Sequence, residues 1–203
     1  MGYYIRVLGK QDPDIHLNKL LKDLESEGLV VQLSLARGDL PNSWTIVQVA
    51  NANGDIIAKI ERNPVFDGEL GKEELEEFKE EIENGKPEAA AKWLKNYFSN
   101  VNVIYAFQLL NLAFEDSNFP IISCLKATIW NETRGILQAD NEGFTNEDGY
   151  HILWQFSEDV TGKWACAILD SKGKWDKFLM DLGDHTQRQE FFNGIVPRMA
   201  ERV

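Results

Sequence analysis

Thiols and imidazoles are scarce in this chain, which has two cysteines, Cys124 and Cys166, and three histidines among 203 residues. That is too few cysteines for a disulfide framework, and no Cys/His spacing of the zinc kind occurs. Reduced thiols suit a cytoplasmic protein. Long hydrophobic runs are missing as well. The longest apolar-rich stretch, Val101 to Phe114, is shorter than the roughly 20 residues a membrane span needs, and Asn102, Gln108 and Asn111 interrupt it. The opening Met1-Gly2-Tyr3-Tyr4-Ile5-Arg6 has neither the basic start nor the apolar core of a secretory signal. Arg6 also stands where an N-myristoylation signal wants Ser or Thr. The expectation is a soluble, cytoplasmic chain with no membrane crossing.

Positive charge is the other shortage. Lysine and arginine number 21 against 33 aspartates and glutamates, for a net charge of −12. The imbalance is even along the chain, with 12 cations against 18 carboxylates in residues 1–100 and 9 against 15 in 101–203. Such a field repels a phosphate backbone, and no basic stripe offsets it, so nucleic-acid binding is not expected. The same field attracts a basic protein partner or a cation, although many proteins carry it for solubility alone.

What is present is ordinary globular material: hydrophobic residues make up 43% and charged residues 27%. Tyr3 to Leu8 reads as a strand. Asp12-Pro13 is a helix-start signal, and Leu17, Leu20, Leu21 and Leu24 then form one buried stripe that Gly28 ends. Strands follow at 29–36, 44–50 and 56–62, with Asn53-Gly54 as the hairpin turn between the last two. Residues 67–88 hold ten carboxylates against three lysines, while Leu75, Phe78 and Ile82 keep helical spacing. Pro87 opens a second helix with Ala89, Ala90, Trp93, Leu94, Tyr97 and Phe98 on its apolar face, so the two form a helical hairpin. A strand is expected to open the 101–112 stretch.

From 125 to 180 the pattern becomes short β-rich runs at 125–130, 134–139, 150–156, 163–169 and 174–180, separated by Gly-containing turns. Four of the six tryptophans lie there. Thr186, Gln189, Phe191, Phe192 and Ile195 then predict a short closing helix stopped by Pro197. The predicted class is α+β: an N-terminal βαβββ with a helical hairpin, then a C-terminal antiparallel β-meander closed by a short helix. Asp116-Ser117-Asn118 before Pro120 marks the expected join, giving subdomains 1–115 and 116–203 packed together as one unit.

For chemistry, the densest polar cluster is Asp140 to His151. An EF-hand reading fails because Phe144 and Thr145 occupy positions 5 and 6 counted from Asp140. Asp140, Glu142, Asp148 and His151 remain the candidate catalytic or cation-binding residues, set against the plainer reading of a polar hairpin loop. Cys124 or Cys166 with His151 or His185 could make a nucleophile pair, but Cys166 lies in a buried-strand pattern where cysteine acts as a small hydrophobe. Asp181, Asp184 and His185 could titrate together, yet Asp184 is better placed as a helix cap. The acidic face at 73–83 reads first as solvated surface. The aromatics Trp130, Phe144, Tyr150, Trp154, Phe156, Trp164, Trp175 and Phe178 read first as core filling and second as interface anchors.

No metal or cofactor is expected, and the oligomeric state is left open. The leading functional expectation is a non-enzymatic interaction protein of the accessory, inhibitor or immunity type with an acidic surface. The alternatives are an enzyme or metal-binding protein using the 140–151 loop, and a small-molecule-sensing module.

Overall fold

The leucine stripe of the first helix forms as its spacing predicts, but the helix starts later than Asp12-Pro13. In the computed structural model, which describes residues 2–203, α1 spans Leu17–Ser26 and is capped by His16, whose Nδ1 accepts from Asn18 N at 3.0 Å. Asp12 is engaged elsewhere, because its carboxylate takes a two-pronged pair from the Arg62 guanidinium at 2.9 and 2.6 Å. Gly28 ends the helix at φ +70°, where a Cβ is disfavoured.

Five helices and eleven strands form among the described residues, an α+β class. They fall into two units, one of residues 1–72 and 101–135 and the other of 73–100 and 136–203. The chain therefore crosses between units at 72/73, 100/101 and 135/136, whereas the Asp116-Ser117-Asn118 signal lies inside the first unit.

In the first unit the strands β1 (Tyr3–Gly9), β2 (Val31–Leu35), β3 (Ile46–Asn51), β4 (Ile56–Pro64) and β5 (Val103–Leu109) run in the order β2-β3-β4-β5-β1, all pairs antiparallel. The β3–β4 hairpin turns at Asn53-Gly54, with Gly54 at φ +87° and Asn51 Oδ1 accepting from Asn53 N and Asp55 N. After a 3-10 turn at Asn111–Phe114 comes α4 (Phe119–Thr133), with proline in its first turn and Asn118 just before it donating back to the Leu112 carbonyl at 2.9 Å. This corrects the expected strand at 125–130. The core includes Leu8, Leu20, Leu24, Ile60, Phe107 and Ile129. Thr128 Oγ1 donates to Asp23 at 2.8 Å, tying α4 to α1.

In the second unit α2 (Leu70–Glu81, from Glu73 onward) and α3 (Glu88–Phe98) form the expected helical hairpin. The strands are β6 (Gly135–Ala139, from Ile136 onward), β7 (Gly143–Thr145), β8 (His151–Trp154), β9 (Lys163–Leu169), β10 (Trp175–Asp181) and β11 (Glu201–Arg202), paired in chain order. All pairs are antiparallel except β8–β9, which is parallel through His151 and Cys166, so the second half departs from a pure meander. Phe78, Phe98 and Phe144 form one buried aromatic cluster. Cys166, Ile168, Phe178, Met180, Leu182 and Phe191 form a second. The closing helix α5 (His185–Phe192) starts at Asp184, whose carboxylate accepts from Thr186 N and Gln187 N at 2.8 and 3.1 Å. No helix among the described residues is long and apolar enough to cross a membrane.

Candidate functional site

The polar run from Asp140 to His151 is two tight turns with a strand between them. Asp140 and Glu142 sit on the turn from β6 to β7, where Asn141 adopts φ +60° and Gly143 φ +117°. Glycine is required at 143, because a Cβ there would collide with the Leu153 carbonyl. Asp148 sits on the next turn, beyond the far end of β7. That turn is built on Asn146, fully buried, whose Oδ1 accepts from Asp148 N at 3.0 Å and Tyr150 N at 2.9 Å. The two turns close opposite ends of β7, so Asp140 and Glu142 stand at one end and Asp148 at the other.

Asp148 is 55% exposed and pairs with Lys177 at 2.8 Å, and the Lys177 ammonium also lies 4.9 Å from the centre of the Tyr150 ring. His151 points inward. Its ring is 4.8 Å from that of Phe156 and 6.2 Å from that of Phe191, centre to centre, and its Nε2 has no hydrogen-bond partner. Burial disfavours the imidazolium and pushes its pKa down to about 3, so it is a neutral ring at physiological pH. Among the described residues no group of three or more His, Cys, Asp or Glu is placed to hold a metal ion.

The two thiols are both held protonated. Burial alone pushes the Cys166 thiol far above its ordinary value. Burial, then Asp23 and Glu27, raises that of Cys124. A thiolate nucleophile needs the opposite shift. Asp181 and Asp184 serve the backbone: Asp181 accepts from Gly183 N at 2.8 Å, and Asp184 caps α5. Hydrogen bonds from Gln187, side chain foremost, hold the Asp184 carboxyl below the ordinary carboxylate range.

Sequence reasoning missed Arg188. Its guanidinium donates to the carbonyls of Leu182, Glu158 and Val160 and lies over the Trp154 ring at 5.3 Å. No spacing rule signals such a clamp, since all its acceptors are backbone.

The acidic helix lies as its pattern predicts, with Leu75, Phe78 and Ile82 buried. Glu73, Glu76, Glu77, Glu80, Glu81 and Glu83 are exposed. Lys79 bonds Glu76 at 2.8 Å and supplies the one basic residue of the last helical turn. Glu73 and Glu77, Glu76 and Glu80, and Glu77 and Glu81 are each four residues apart, where like charges repel. No family model, curated protein or solved structure matches this chain.

Proposed function

We propose that the chain is a non-enzymatic protein-interaction module, of the accessory, inhibitor or immunity type, that works in the cytoplasm and engages a more basic protein. The glutamate face of α2 carries this reading. Each like-charge pair four residues apart destabilises a helix by about 0.2–0.5 kcal/mol. Carboxylates in the last turn also oppose the helix dipole. Solubility does not need repelling charges concentrated on one helix, whereas a cationic surface docked there relieves the repulsion. The protonated thiols and the walled-in neutral imidazole support a binding role over nucleophilic chemistry.

The test is affinity capture with the full chain at low and high salt, beside the Glu77→Lys/Glu80→Lys variant. The expected result is one basic partner, released by salt and lost with the variant. Capture that ignores both salt and the charge reversal would refute the reading.

A further inference from the structure

Two hollows in the first unit meet in one groove beside α4. The first, about 590 Å³, lies between α1 and α4. The second, about 440 Å³, lies where the start of β2, the β3–β4 turn and the 3-10 turn come together. Leu29 lines both, and Pro120 in the first is followed directly by Ile121 in the second. Lining residues of α4 and its cap run from Asn118 to Glu132, which at 1.5 Å per residue is a length of about 20 Å. An extended chain of roughly six residues spans that length at about 3.3 Å each.

Carboxylates stand on both sides of the groove, with apolar groups between them. Asp23, Glu27, Asp55, Glu115 and Glu132 line it against a single amine, Lys19. Between them lie apolar groups, including Val30 at 70% exposure and Leu112 at 36%. Lys19 shows what the walls accept. Its ammonium sits 3.5 Å from Asp23 on its own helix and 3.4 Å from Glu132 on α4.

We infer that this groove docks an extended segment of a partner protein that combines lysine or arginine side chains with apolar ones. The cations of such a segment pair with the carboxylates, and its apolar side chains cover Leu29, Val30 and Leu112 between them. The inference rests on the reading of the chain as an interaction module and adds a second surface, distinct from α2, with the chemistry of what fills it.

Cys124 is a built-in reporter. It is half-buried and lines the groove, whereas Cys166 is fully buried, so alkylation of the folded chain reads Cys124. The probe is an acetylated, amidated hexapeptide of alternating lysine and leucine, added to the full chain at low salt and the same alkaline pH in every arm. The peptide is expected to slow Cys124 alkylation severalfold. Glu27→Lys/Glu115→Lys is expected to weaken peptide binding about tenfold, since two exposed charge contacts reverse sign. Asp67→Lys/Asp176→Lys, equal in net charge and outside the groove, is expected to change it less than about twofold.

An unprotected Cys124, or equal weakening in both variants, overturns the inference. Equal protection by spermidine also overturns it by assigning the groove to small polyamines. Protection that grows with protein concentration alone would assign it to a second copy. If these fail while capture still depends on α2, only the groove is refuted. If the peptide result holds and α2-dependent capture fails, only the α2 reading is refuted.

Discussion

Lowering the pH should destabilise this protein through one side chain. His151 is 2% exposed, and its pKa is pushed down to about 3 by burial among Trp154, Phe156 and Phe191. In the unfolded chain the same imidazole titrates near its ordinary value of about 6.5. The unfolded state therefore takes up a proton that the folded state refuses. The stability held by the neutral ring is complete above about pH 6.5 and falls by about 1.4 kcal/mol per pH unit below it, until the folded group titrates near pH 3. Between about pH 7.5 and about pH 5 the loss comes to about 2 kcal/mol. Urea unfolding at those two pH values, for the native chain and for His151→Phe, isolates this contribution, because every other titrating group is common to both. Phenylalanine is apolar and similar in size, suited to an aromatic pocket. The stability gap between the proteins should shift by about 2 kcal/mol in favour of the variant on acidification. Parallel pH profiles would show that the folded protein accepts the proton, and the reasoning would be wrong.

Three further outcomes are expected. Arg188→Met removes the donors that hold the carbonyls of Leu182, Glu158 and Val160, so stability should drop by about 3 kcal/mol and limited proteolysis should cut within 157–162. Glu77→Gln relieves repulsion with both Glu73 and Glu81, and the melting temperature should rise, reflecting about 0.5 kcal/mol. Gly143→Ala, strained at φ +117° and blocked by the Leu153 carbonyl, should cost about 2 kcal/mol or more in a denaturant titration.

Elements whose signal is local were legible in the sequence. The Asn53-Gly54 hairpin, the leucine stripe of α1 and the apolar face of α3 each depend on residues a few positions apart, and all three form. The 125–130 segment misled because Leu125, Ala127 and Ile129 alternate like a strand, while the helix that contains them buries Ile121, Ile122, Leu125, Thr128 and Ile129. Its start signal, Asn118 followed by Pro120, has the same polar, proline-containing composition as a join between domains. The parallel β8–β9 pairing rests on His151 opposite Cys166 alone, and no residue of the 155–162 connection distinguishes a crossover from a hairpin. In the candidate site, β7 is only three residues long and hides among polar neighbours, so two turns looked like one loop. The hydrophobic run Ile152-Leu153-Trp154 was the available sign that His151 belonged to the interior.

The interleaving of the two units has a consequence for synthesis. The α2–α3 hairpin leaves the ribosome with Leu75, Phe78, Leu94 and Phe98 displayed, and its partners in the same unit begin only at residue 136. At roughly 5–20 residues per second, the last of those partners emerges several seconds later. During that interval the first unit can close over its own core, having received 101–135 first, while the hairpin waits with its apolar side open. A nascent chain paused after residue 100 therefore still displays that apolar side, a surface of the kind chaperones bind.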